Sequence, residues 1–301
     1  MVKLIDFSCK HHIMIQNPDG SLSPMDEPFY EAKEIAPGTW QVLSSGDYSY
    51  LLLGDDHGLS IDCGYGAGNI REYLESLGGK PVPWVANTHH HFDHSANNAY
   101  FDMAYMSEDT VPHVTIPYDS FSGIDFPRDY PITVLGDGDI IPLKGREIQV
   151  FLCPDHTDGS LVYLDRKERI LFSGDEFFGM GMGKPLNGGL ATWIKNLEKL
   201  QQYRGEFDCM YGGGGYHPGS TFDAFLECAK YAMDHEGVHF ERKPHNPPAP
   251  ASDGVIIYDR KRPHPGDGAK TTKRIMPDPA NMRMVEYAGT KITYDISKKF
   301  D

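Results

Sequence analysis

The segment Thr88-His89-His90-His91-Phe92-Asp93-His94 gathers more metal-ligating side chains than any other stretch of the chain. With 14 histidines in 301 residues, an H-x-H-x-D-H pattern arises by chance in well under about one such chain in a hundred. Imidazole nitrogen and carboxylate oxygen are the donors that zinc accepts besides thiolate. His89 and His91, two apart at a strand end, can turn toward one ion. Asp93 and His94 then enter a following helix and face a neighbouring position. Four side chains do not close two sites, so further ligands must come from other strand ends. His156 follows Cys153-Pro154-Asp155, Asp175 follows Ser173-Gly174, and His217 follows the glycines of Tyr211–Tyr216. Each stands at a strand-to-loop junction, where α/β folds place their sites. The competing reading of the histidine run alone is a solvated polar turn.

The elements that must position these residues can be read from periodicity. Val82–Ala86 is an apolar strand leading into the histidines. Trp40–Leu43, Tyr48–Leu53 and Leu59–Asp62 read as short strands with turns at Ser45-Gly46 and Asp55–Gly58. Ile148–Cys153, Leu161–Leu164 and Ile170–Phe172 read as three more. Asn69–Leu77 reads as a helix, with Ile70, Tyr73, Leu74 and Leu77 on one face and Gly78 as its C-cap. Thr192 caps a second helix carrying Trp193, Ile194, Leu197 and Leu200. Ser220 or Thr221 caps a third carrying Phe222, Phe225, Leu226, Ala229 and Met233. Near Lys243 the character changes, because His245–Asp253 is rich in proline and cannot continue a helix. The reading is a body of residues 1–243 and an extension of residues 244–301, with a hairpin around Ala288–Thr290. Some sixty residues are marginal as a domain, so the extension is expected to pack on the body, on its own subunit or across a homodimer.

In this order the motifs resemble those of the metallo-β-lactamase fold superfamily. Asp62 in Ile61-Asp62-Cys63-Gly64 resembles the first, Thr88–His94 the second, His156 the third, Asp175 the fourth and His217 the fifth, over roughly residues 38–236. The resemblance implies an α/β fold, a four-layered αββα sandwich with metals at one edge of its two sheets. It implies His89, His91 and His156 around a first metal, Asp93, His94 and His217 around a second, and Asp175 bridging both. Asp62 would orient the ligands. The redox branch often has Glu where this chain has His91, which favours two zinc ions per chain here, although iron and manganese use the same donor types. The implied chemistry is a hydroxide generated between two cations, attacking a carbonyl, with Asp93 orienting it and moving its proton. The alternatives are an iron-dependent oxygenase or redox enzyme, and a non-catalytic metal-binding module. Cys63 and Cys153 read as small buried thiols rather than nucleophiles.

Departures from subfamily patterns bear on the substrate. Ser95-Ala96-Asn97-Asn98 follows the Asp-His pair where glyoxalase-type thioesterases carry glycine, and Phe178 stands where acyl-homoserine lactonases carry tyrosine. Phe177, Phe178, Met180 and Met182 directly after Asp175, and the aromatic residues of Tyr118–Tyr130, suggest an apolar mouth for a small hydrophobic ester, lactone, thioester or amide. The net charge of −15 argues against nucleic acid and anionic membrane as partners. It is uneven: residues 1–240 carry 16 Lys and Arg against 35 Asp and Glu, and residues 241–301 carry 12 against 8. No window reaches 18 consecutive apolar residues, which argues against a membrane span. The first twelve residues lack a signal-peptide layout, and five scattered cysteines without a C-x-x-C pair fit a reducing cytoplasm.

Overall fold

Leu51 and its neighbours Tyr50 and Leu52 show how the layers arise: successive side chains of a strand point to opposite faces. Leu51 belongs to a core beneath an outer helix, while Tyr50 and Leu52 belong to the core between the two sheets. The computed structural model describes residues 4–44, 46–177, 186–241, 256–259 and 278–301. One sheet has seven strands in the order Glu31–Ala36, Thr39–Leu43, Tyr48–Leu53, Gly58–Ile61, Trp84–Ala86, Met103–Met106 and Ile132–Val134. The first four are antiparallel and the last three add in parallel. The other sheet has six, in the order Ile140–Leu143, Arg146–Leu152, Leu161–Asp165, Ile170–Gly174, Cys209–Gly212 and Gly215–Pro218. Between them lie Leu59, Ile61, Ile148, Val150, Leu161 and Phe172.

Helices cover both outer faces. Helix α1 (Ile70–Gly78) and the single turn α2 (Phe92–Ser95) lie on the first sheet, burying Ile70, Leu74 and Phe92. Helices α3 (Leu190–Gln201) and α4 (Gly219–Asp234) lie on the second, burying Trp193, Leu197, Phe222 and Phe225. The architecture is therefore the αββα sandwich. A hairpin of Met282–Tyr287 and Thr290–Asp295 packs on α4 through Val285, Ile292 and Tyr294. Its two-residue turn has positive φ at both Ala288 (51°) and Gly289 (78°), the hand that matches strand twist. The carbonyls of Lys299 and Asp301 accept the first amides of α3, from Ala191 and Thr192. A strand at Ile256–Asp259 pairs with Ile13–Gln16. None of the five cysteines is disulfide-bonded. Among the described residues no helix is long and apolar enough to cross a membrane.

Candidate metal centre

Four strand ends converge at one edge of the sandwich. Asp62 leaves its strand with φ +56°, a left-handed conformation that costs energy and that Asp tolerates better than most residues. This turn aims its carboxylate back along the neighbouring strand. Oδ1 accepts Thr88 N–H at 2.7 Å, and Oδ2 accepts the Thr88 hydroxyl and His94 Nδ1–H, each at 2.8 Å. The Thr88 oxygen in turn lies 3.0 Å from His89 Nδ1. A hydroxyl that donates to Asp62 must accept from His89, so His89 carries its proton on Nδ1. One carboxylate thus sets two tautomers, leaving the Nε2 lone pairs of His89 and His94 facing the edge.

Those lone pairs meet other donors. His89 Nε2 is 3.0 Å from His91 Nδ1, which is 2.8 Å from His156 Nε2. His94 Nε2 lies 3.6 Å from Asp175 Oδ1 and 4.0 Å from Asp47 Oδ2. Asp175 Oδ2 is 3.5 Å from His156 Nε2, so the two oxygens of Asp175 face the two groups. His89, His91 and His156 form one set of atoms that could hold an ion. His89, His94 and Asp175 form a second, and Asp47, Asp93 and His94 a third. A cation fits this constellation: three imidazole nitrogens crowd one point, and His94 Nε2, fully buried, has no hydrogen-bond partner among the described residues.

The charges are strained in the same sense. Burial and the neighbouring His94, His156 and His91 push His89 well below the usual histidine range. Burial alone would lower His94 too, but the carboxylates of Asp62, Asp93 and Asp175 raise it well above that range. Burial, with Asp93 and Asp175 alongside, raises Asp47 well above the usual carboxylate range. Cations between these groups would relieve both the nitrogen crowding and the carboxylate repulsion.

The ligands are held from behind. Glu176 accepts His156 N–H at 2.9 Å, and Asn187 Nδ2 donates to His156 O at 2.7 Å. Tyr118 O–H donates to Asp93 Oδ1 at 2.6 Å. Burial and Asp93 raise the Tyr118 phenol well above its usual range, so it stays a donor. Ser95 Oγ donates to His91 O, and Asn87 and Asn98 exchange side-chain bonds. The residues after the Asp-His pair therefore brace the turn α2.

Two expectations are corrected. His217 does not join the cluster. It stands opposite Met210 in an antiparallel pair, and cross-strand partners share a face. Met210 lies in the core under α4, so His217 points to the helical face, away from the edge. Phe177 is buried against Trp193, Phe222 and Phe225, in the core under α3 and α4 rather than at a pocket mouth among the described residues. Phe178, Met180 and Met182 lie outside the described residues. A cleft of about 230 Å³ reaches Tyr48, next to Asp47 in the chain, and its lining of Pro18, Glu31, Ala32, Lys33, Gln41 and Leu43 is mixed rather than apolar. Asp47 itself escaped sequence reasoning, because Ser45-Gly46 read as a turn and a lone Asp beside it carries no spacing signal. Tyr118 carried only the weaker signal of an aromatic loop.

Residues 46–212 match the sequence profile of the Metallo-beta-lactamase superfamily. The match ends at Gly212, before His217. Among curated proteins the chain is 25% identical over 165 residues to a hydroxyacylglutathione hydrolase of Pelagibacter ubique, covering 52% of this chain and 61% of that one. It is 28% identical over 188 residues to human acyl-coenzyme A thioesterase MBLAC2, covering 52% and 64%. The chain spans about three fifths of the length of these relatives. Among solved structures it is similar to a metallo-beta-lactamase from Pontibacter korlensis, with TM-score 0.54, 17% identity and coverage of 67% and 99%. It is also similar to the Flv1 flavodiiron core from Synechocystis sp. PCC6803, with TM-score 0.52, 14% identity and coverage of 70% and 63%. At these identities the structural likeness speaks for the fold alone.

Proposed function

Because the chain belongs to the metallo-beta-lactamase superfamily, we propose that it is a metal-dependent hydrolase of small carbonyl substrates, with thioesters as the preferred class. The observation that carries the reading is the convergence of His89 Nε2, His91 Nδ1 and His156 Nε2 within 2.8–3.0 Å links, beside the Asp93, His94 and Asp175 group. His89, His91 and His156 would hold zinc. Asp93 and His94 would hold a second dication, and Asp175 would bridge. When bound, such a pair makes water acidic enough to attack near neutral pH and polarises the carbonyl.

The chain's own residues do the rest. Asp62 keeps the His89 and His94 lone pairs directed at the site. Tyr118 donates to Oδ1 of Asp93 and so orients the carboxylate that would position the attacking water and take its proton. The same carboxyl can return that proton to the departing thiolate. Thioesters are favoured over other carbonyl compounds because the curated relatives carry thioester names. Ser95 and Asn98, in the stretch where glyoxalase-type thioesterases carry glycine, hydrogen-bond to His91 O and to Asn87 respectively.

The test is hydrolysis of acyl thioesters of coenzyme A and of glutathione, beside aryl esters, lactones and β-lactams, with metal analysis of the purified chain. Thioester turnover that a chelator abolishes and zinc restores is the expected result. Turnover confined to lactones or aryl esters would move the substrate class. Iron as the retained metal, with oxygen consumption, would replace hydrolysis by the redox alternative.

A further inference from the structure

The two candidate cation positions differ in the kind of donor they offer. His89, His91 and His156 present imidazole nitrogen only. Around His94 Nε2 the neighbours are carboxylates: Asp175 Oδ1 at 3.6 Å, Asp47 Oδ2 at 4.0 Å, and Asp93 within the same group. His94 is fully buried, its Nδ1 is taken by Asp62, and its Nε2 has no hydrogen-bond partner among the described residues. The space beside it is kept clear by Gly213. A Cβ there would lie 2.3 Å from Asp175 Oδ1, 3.2 Å from Asp47 Oδ1 and 3.2 Å from His94 Cε1. The same glycine accepts Tyr48 N–H through its carbonyl at 3.4 Å, which ties the backbone next to Asp47 to the cluster.

Resting on the two-position reading above, we infer that Asp47 is a ligand of the second cation in the place expected for His217, and that the resulting set of one imidazole and three carboxylates admits manganese beside zinc. Carboxylates suit manganese and magnesium, whereas imidazole suits zinc. The charges agree. Four neutral imidazoles with Asp47, Asp93 and Asp175 set three negative charges against two dications. With His217 instead of Asp47 they would set two. The first position has no carboxylate of its own and keeps its preference for zinc, so a mixed zinc and manganese pair becomes accessible beside the expected pair of zinc ions.

The experiment strips the full chain with a chelator, adds one equivalent of zinc, and follows Mn2+ binding by electron paramagnetic resonance. The wild-type chain is expected to take one manganese per chain. Asp47→Ala should weaken manganese binding by at least about a hundredfold, beyond the ten- to hundredfold that loss of an outer partner costs. Asp47→His should keep a second zinc but bind manganese at least about tenfold more weakly than wild type. His217→Ala should leave both ions unchanged. Loss of manganese in His217→Ala with retention in Asp47→Ala would overturn the ligand assignment. Equal manganese affinity in Asp47→His and wild type would overturn the selectivity. Failure of the underlying reading looks different: the first zinc would be absent in wild type, or retained in His91→Ala.

Discussion

Replacing Asp62 by Asn separates ligand orientation from fold. Asn tolerates the left-handed backbone that Asp62 adopts at φ +56° about as well as Asp does, so the change is confined to the side chain. The amide oxygen can still accept Thr88 N–H, which Asp62 holds at 2.7 Å. The amide nitrogen then stands where Oδ2 accepts from the Thr88 hydroxyl and His94 Nδ1, each at 2.8 Å. Two donors face a donor. Left unmet, they would cost about 1–3 kcal/mol each. His94 has a way out: it can move its proton to Nε2 and accept from the amide at Nδ1. Thr88 can likewise turn its hydroxyl toward His89 Nδ1. Both moves recover most of the folding energy and place protons on the nitrogens that face the metal edge. The metal-free protein should therefore lose only about 1–2 kcal/mol, while affinity at the second position falls ten- to hundredfold, or about 1.4–2.8 kcal/mol. The first position should lose less, because Asp62 reaches it only through Thr88. Competition with a chromophoric chelator measures both affinities, and 15N–1H correlation of the histidine rings reads the tautomers directly. Unchanged affinity at the second position, or a larger loss at the first, would refute the argument.

Asp93→Ala should lower turnover on the order of a hundredfold or more while one zinc per chain is retained, as metal analysis would show. Tyr118→Phe keeps its edge-on contact with Phe92 at 5.3 Å but removes the hydrogen bond donated to Asp93 Oδ1, so turnover should fall about tenfold with a melting temperature close to wild type. Ile292→Ala, at a fully buried position under α4, should cost about 2–5 kcal/mol in denaturant unfolding; a neutral result would detach residues 278–301 from the core. His90 is held down to about 4 by burial and by the neighbouring His113. The native chain therefore binds fewer protons than the unfolded one between pH 6.5 and 4, so this residue's contribution falls as pH drops through that window. His90→Gln should flatten the stability–pH curve there by on the order of 2–3 kcal/mol.

What was legible in the sequence depends on how local the physics is. The H-x-H-x-D-H spacing, a strand end turning into one helical turn, is a property of six consecutive residues, and the ring nitrogens of His89 and His91 indeed meet. Asp175 is delivered by Gly174, whose φ of +50° and close approach to Thr88 admit no side chain, a signal carried by Ser173-Gly174-Asp175 itself. Helix α1 was expected over Asn69–Leu77 and runs Ile70–Gly78 with Asn69 as its N-cap. Helix α3 begins at Leu190, two residues before its expected cap at Thr192. Its first amides are satisfied by carbonyls at Lys299 and Asp301, more than a hundred residues away, and no local pattern encodes that.

The second cation position shows where local reading gives out. His217 has the right residue type, follows a glycine run and sits at a strand, all features a ligand would have. Its direction is decided by strand register. Gly212 pairs with Gly215 across a two-residue turn, so His217 falls opposite Met210 and takes that residue's face. Had the turn been one residue longer, the parity would reverse and the histidine would face the inner layer with Tyr211. The glycines that shift the register also leave the gap beside Asp175 and His94 that an added Cβ at Gly213 would fill. Asp47 borders that gap from the facing sheet, where Tyr48 is bonded to the same glycine. His217 and the proposed ligand Asp47 are therefore told apart by strand register and backbone space rather than by residue type, and the two substitutions that probe them should give opposite results in the same metal titration.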